Sequence, residues 1–431
     1  MIFAKNGRDG ASGKAPRRIA PARRLPAAGL AGLTCLAIAA GLQTQAQEPP
    51  AKPPAGAAPL QPAKPAPLES GAGPATAPGT NAAPAATAKP KRPLVVVSWG
   101  GAYGKSQEEA ILRPFTRATG IAIDSKVYAG DLDLIRAQVE RGEVVWDVVD
   151  VDPADAQQGC AEGLFEKLSF VLPAAPDGTA AAEDFLPGTL QVCAVGSVAW
   201  SVVMARAAAP AGSPAAASQP ASLRDFFDLE AFPGQRGLRR TPMANLEWAL
   251  LADGAAPHEV YNLLRSEAGV ERAFAKLDSI KPAIVWWEDA KEPGRLLASG
   301  AVVMTSTYNA PIFFDIALRQ RPVALVWDHQ IWDIDLWAIP TAAPNREAAL
   351  EFVRFATSTE TLARQTRWIP YGPLRRSAAG LTGDTVYSDL NIAAFLPTAP
   401  DNLESAFRND ALFWREHGPA LVERFNLWLG R

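Results

Sequence analysis

Histidine is scarce in this chain, and the shortage narrows its chemistry. Three occur among 431 residues, His258, His329 and His417, too scattered for a metal site that needs several ligands at short spacing. No H-E-x-x-H and no G-x-S-x-G turn is present, so zinc-hydrolase and nucleophile-elbow chemistry lack their residues. A dominant charge is missing too: 42 Lys and Arg against 45 Asp and Glu leave a net charge of -3. No basic stripe offers a nucleic-acid footprint. Beyond residue 46 no apolar run is long enough to span a bilayer. Neither a cofactor nor a nucleic-acid partner is expected.

One stretch imitates an enzyme motif and fails at a defined point. "LVVVSWGGAYGKS" is a strand-like run, a Gly-rich turn and then Gly104-Lys105-Ser106. A phosphate-binding loop needs four residues between its first Gly and that Gly-Lys-Ser. Here Gly100 leaves one too few, and Trp99 stands where the first Gly should be. The acidic pairs Asp150/Asp152 and Glu288/Asp289 carry no acid–base spacing, and read more simply as solvated or cation-binding groups.

What is present begins with a basic N-terminus: Lys5, Arg8, Lys14, Arg17, Arg18, Arg23 and Arg24, opposed by Asp9 alone. An apolar stretch comes next at 25–42, and Thr44-Gln45-Ala46 supplies small residues. That order predicts a secretory signal at 1–46, cleaved near Ala46, and a periplasmic protein; an uncleaved anchor is the alternative. Export would place Cys160 and Cys193 in an oxidising compartment, so a disulfide is expected between them rather than two free thiols. Residues 47–92 are mostly Ala and Pro and lack a core-forming pattern, which predicts an extended tether.

The folded part is expected from residue 93. "PLVVVSW" reads as a strand buried on both faces and "IAIDSKV" and "VVWDVVDVD" as further strands, with helices expected at 105–119, bent at Pro114, and at 131–141. Such alternation predicts a parallel sheet covered on both sides. "AVGSVAWSVVMAR" and "WDIDLWAIP" look like strands crossing between lobes, and the last helical region is expected at 402–429. The predicted fold class is α/β with two lobes: 93–200 with 336–380, and 201–335 with 381–431. Twelve Trp suit both cores and a site that stacks on a ligand.

The segments "VVVSWGGAYGKSQEEAILRPFTRATGI", "VVWDVVDVD", "VVMTSTYNA", "IWDIDLWAIP" and "WIPYGP" occur in that order. From about residue 94 onward the chain resembles the spermidine/putrescine-binding subunits of ABC transporters. The resemblance implies a type II periplasmic-binding-protein fold, closure of two lobes on a small amine, delivery to an ABC permease, and a monomer. It also implies that Trp99, Tyr103, Tyr308 with Asn309, and Tyr371 form aromatic walls, and that Asp335 caps an ammonium group. Asp152 is a further candidate.

One departure concerns the opposite end of the ligand. Where polyamine binders of this kind place acids, "RRTPMANLEWAL" has only Glu247, preceded by Arg239 and Arg240, and nearby "VWWEDAKEP" offers Trp287 and Glu288. The second pole is therefore open between a diamine end, a neutral end and a carboxylate met by Arg. Putrescine or spermidine is the first expectation and an amino-acid-like zwitterion the alternative. An iron(III) complex would need Tyr or His to converge. An exported enzyme comes last.

Overall fold

The β-branched runs form strands because their side chains suit a pleated surface covered on both faces. In the computed structural model, which describes residues 92–168, 172–209 and 218–430, ten strands form one curled sheet. They are β1 (Leu94–Ser98), β2 (Ile123–Val127), β3 (Val148–Val151), β4 (Ala194–Ala207), β5 (Arg236–Arg239), β6 (Ile284–Trp287), β7 (Met304–Tyr308), β8 (Val323–Ala338), β9 (Gly372–Pro373) and β10 (Phe407–Arg408). The order is β2-β1-β3-β8-β4-β7-β5-β6, with β10 beside β8 and β9 beside β4. The expected signal at 1–46, the tether up to residue 91 and part of the 210–221 insertion lie outside the described residues.

Two parallel trios stand at the ends of this order, β2-β1-β3 and β7-β5-β6. Between them, β4 and β8 run antiparallel from Ala194 opposite Ala338 to Ala207 opposite Val323. The β4/β8 register shifts twice, between Gly196 and Val198 and between Val202 and Met204. Each trio builds its own core. Val97, Val149, Phe115, Trp337 and Phe352 lie in one, and Trp248, Phe274, Phe413 and Trp428 in the other. This is the two-lobed α/β arrangement of the periplasmic-binding-protein type.

Local signals set most helix ends. Asp131 caps Leu132–Arg141 by accepting from Asp133 N, and Gly142 ends it in the left-handed conformation. Two expectations need correction. The helix expected from residue 105 starts at Gly101, and Pro114 is accommodated through a wide turn at Glu108–Leu112 that joins Gly101–Gln107 to Arg113–Thr119. Such a turn absorbs the amide that proline cannot donate. The last helix spans Ala411–Leu429, not 402–429, because Phe407 and Arg408 pair with Ile331 and Trp332, and Asp410 then caps the helix at its true start.

Cys160 and Cys193 form the expected disulfide, with their Cα atoms 5.6 Å apart. It fastens the helix Pro153–Ala161 to the residue before β4. Among the described residues, no helix is long and apolar enough to cross a membrane.

Candidate functional site

Ladder register decides which side chains meet at the middle of the sheet. Asp335 lies opposite Val198, Asp333 opposite Trp200, and Tyr308 opposite Val202. Directly opposed residues, and residues two apart on a strand, share a face. Asp335, Trp200 and Tyr308 therefore come to one side of the crossing strands. Trp200 and Tyr308 meet edge to face with ring centroids 5.7 Å apart, and Trp287 reaches Tyr308 at 6.5 Å.

A second aromatic group comes from the ends of β1 and the 371 segment. Tyr103 and Tyr371 have centroids 5.4 Å apart, and Trp99 and Tyr128 5.3 Å. Tyr103 packs in a small cluster with Val198, Ala310 and Ile369, against which Trp99 and Tyr371 also lie. The Tyr103 hydroxyl is 3.0 Å from Ser197 Oγ. Trp99 takes its place because Gly130 allows it: a Cβ there would lie 2.3 Å from the indole, and Gly130 has φ of +75°.

Two buried acids stand among these rings. Asp335 is 7% exposed and Asp150 fully buried. Asp150 Oδ2 accepts from Ser98 Oγ at 2.9 Å and Gln107 Nε2 at 2.8 Å, while its Oδ1 is buried without a partner. Burial first, and then the Asp150 and Asp333 charges, raise the Asp335 carboxyl far above the usual carboxylate range; the nearby Trp200 indole opposes the shift. Asp150 is pushed up to about 7, chiefly by burial. Among the described residues neither acid has a Lys, Arg or His in ion-pair contact.

The other lobe contributes a cation. Arg239, exposed at the end of β5, donates from Nη1 to the Tyr308 hydroxyl at 2.5 Å. Its guanidinium carbon lies 5.6 Å from the Tyr308 ring centroid. Among the described residues no acid forms an ion pair with it. Arg240, by contrast, pairs with Glu288 at 3.2 Å in solvent.

The remaining sequence candidates fall elsewhere. Glu247 is fully buried in the helix Asn245–Ala252, accepting from Trp414 Nε1 at 2.6 Å and Tyr261 Oη at 3.3 Å. It is corrected from a site acid to a core acid, because every residue from Asn245 to Leu251 is buried and leaves its carboxylate no way out. Glu288 is exposed, tied to Arg240. Asp152 caps the helix Pro153–Ala161 through Asp155 N at 2.7 Å and lies 3.6 Å from Arg415. Asn309 is a buried tether: its Oδ1 accepts from Ser201 N at 3.2 Å, and its Nδ2 donates to Pro370 O at 2.5 Å. That bridge fixes Tyr308 relative to Tyr371. Sequence reasoning missed Trp200 and Tyr128, and its solvated reading of Asp150 is corrected, since that acid is fully buried between strands; for Trp200, its place two residues after Val198 on a crossing strand was the available signal.

Residues 110–394 match the model of a family described as bacterial extracellular solute-binding proteins. Over 341 residues, 78% of this chain and 91% of the other, the sequence is 40% identical to a gamma-aminobutyric acid-binding protein of Pseudomonas aeruginosa. A solved GABA receptor is 29% identical with a TM-score of 0.63, over 78% of this chain and 98% of that one. An ABC transporter substrate-binding protein from Bradyrhizobium japonicum is 32% identical with a TM-score of 0.63, over 78% and 99% of the two chains.

Proposed function

Because the chain belongs to the bacterial extracellular solute-binding protein family, we propose that it captures a short ω-amino acid of the γ-aminobutyrate class between its lobes and delivers it to an ABC permease. The observation that carries the reading is the opposition of unpaired charges. Asp335 is a buried acid with no cation in contact, and Arg239 is a cation with no acid, held by Tyr308 on the other lobe. A zwitterion satisfies both. A diamine would set its second ammonium against Arg239, and like charges that close cost free energy.

The spacing suits a ligand of a few methylenes. Val198 and Val202, which face Asp335 and Tyr308, are four residues apart on β4, about 13 Å at strand rise. Asp335 and Arg239 reach inward from the two ends of that interval. Asp335 takes the ammonium, with Trp99, Tyr103, Trp200 and Tyr371 as the aromatic walls that exclude water around it. Arg239 takes the carboxylate in a charge-assisted contact, with the Tyr308 hydroxyl as a second donor. Burying both ends of the ligand draws the lobes together, and the closed form is the one presented to the permease. Relatives named for γ-aminobutyric acid support this class over the polyamine expected first. The leader at 1–46, the tether at 47–92 and a periplasmic location belong to the same proposal.

The test is titration of the purified chain with γ-aminobutyrate, putrescine and spermidine while following Trp fluorescence. Saturable response to γ-aminobutyrate and none to the polyamines is expected. Tight binding of putrescine with no response to γ-aminobutyrate would overturn the assignment.

A further inference from the structure

The sheet sets Asp150 and Asp335 side by side. Asp150 lies opposite Trp337 on the neighbouring strand β8, and Asp335 is two residues before Trp337. By strand parity all three share a face, so the two carboxyls are diagonal neighbours with Cβ atoms roughly 7 Å apart. Both are buried. Nothing positively charged approaches them among the described residues.

The acidic neighbours deepen the problem instead of relieving it. Asp333 and Asp152 add negative charge near Asp335. The Tyr103, Tyr128 and Tyr371 hydroxyls around the pair are themselves held neutral, chiefly by burial. The nearest guanidinium groups are engaged elsewhere: Arg408 acts on Asp333, and Arg415 pairs with Asp155 and Asp152. Asp150 Oδ2 is held by Ser98 and Gln107, which leaves its Oδ1 buried without a partner.

We propose that Asp150 is a specificity-determining acid of this site: with Asp335 it retains one proton in the empty protein, and the ammonium group of the ligand displaces that proton to solvent on binding. The reaction is balanced. A protonated carboxyl and an ammonium ion become an ammonium carboxylate pair and one released proton. Two carboxylates in one dry space cannot both ionise without a cation. The site therefore demands a ligand head that brings its own positive charge and its own N–H donors. This inference rests on the reading of Asp335 as the ammonium pole and adds Asp150, which makes the pair hold a proton.

Calorimetric titration of the full chain with γ-aminobutyrate at pH 7 in phosphate and in Tris tests it. The binding heats are expected to differ with the ionisation enthalpy of the buffer, reporting release of up to about one proton per ligand. Affinity is expected to rise with pH by up to about tenfold per unit until the pair is fully ionised. Asp150→Asn keeps an acceptor for Ser98 and Gln107, and is expected to bind with less proton release at pH 7 than the wild type, because burial still raises Asp335 but the Asp150 charge no longer adds to it. Saturable wild-type binding with identical heats in both buffers overturns this inference alone, and needs no variant. Full proton release by Asp150→Asn overturns it as well. Absence of binding at any pH overturns the proposed ligand class and this inference with it.

Discussion

The two sides of the site handle charge in opposite ways. On the β1–β3 side the acids are buried, and Asp150 is fixed by hydrogen bonds before a ligand arrives. On the β5–β7 side the one free charge, Arg239, is exposed on a long side chain steadied by a single tyrosine. Preorganisation lowers the ordering cost of binding, whereas an exposed arm must be ordered at that moment. On the proposed reading, the ammonium pole is set by the fold and the carboxylate pole is completed by closure.

Replacing Asp335 should test that asymmetry hardest. Asp335→Asn leaves the ligand's ammonium without its counter-charge, and breaking a buried pair costs about 3–5 kcal/mol. Titration calorimetry should show γ-aminobutyrate affinity reduced by at least about a hundredfold; a loss below tenfold would mean that the amine sits elsewhere. Next comes the disulfide, which braces the acidic side alone. Cys160→Ser with Cys193→Ser should lower stability by about 3 kcal/mol on the loop-entropy model, read by urea unfolding, with affinity little changed. Arg239→Ala should weaken γ-aminobutyrate by about 2 kcal/mol, the scale of a charge-assisted contact. The same change should leave butylamine, which has no carboxylate, bound as before. Equal losses for both ligands would erase the distinction between the poles.

Two smaller effects sharpen it. Gly130→Ala brings a Cβ within 2.3 Å of the Trp99 ring at a positive φ, so the indole must move. A cost of about 1–2 kcal/mol in stability should accompany a several-fold loss of affinity, seen in thermal melts and titrations. Glu247 offers the contrast within the other lobe: a buried acid with no ligand to relieve it. Its carboxyl is pushed up to about 7 by burial, above its unfolded value. Such a group favours the folded state fully below the unfolded pKa, and that contribution is lost as pH rises toward 7. Glu247→Gln should flatten the stability profile between about pH 5 and 7 and raise stability at pH 8 by about 1 kcal/mol. Affinity for γ-aminobutyrate should not change.

Much of the fold was legible because its signals are local. The run "LVVVS" announces a covered strand, Asp131 and Gly142 bracket a helix, and the crossing strands show as unusually long apolar stretches. The aromatic candidates were legible as rings that gather, since Trp99, Tyr103 and Tyr371 fall in one group and Tyr308 in another with Trp200. The polar side was not. Arg239 matters because of what it lacks, and the tyrosine that holds it is 69 residues away. Glu247 misled because burial on all sides of its helix leaves no mark in a single acidic letter. Asp150 was paired with the wrong acid, because its neighbour in sequence is Asp152 whereas the sheet sets it beside Asp335.

The two register shifts in the β4/β8 ladder have a mechanical consequence. They fall between Gly196 and Val198 and between Val202 and Met204, and the stretch between them carries Trp200 and lies opposite Asp335 and Tyr308. Such irregularities let a ribbon bend and coil locally while the regular ladder beyond them stays stiff. The compliant joint and the proposed seat of the ligand are thus the same handful of residues. A solute that bridges Asp335 and Tyr308 would span the joint itself, so its grip acts as torque on the hinge with almost no transmission in between.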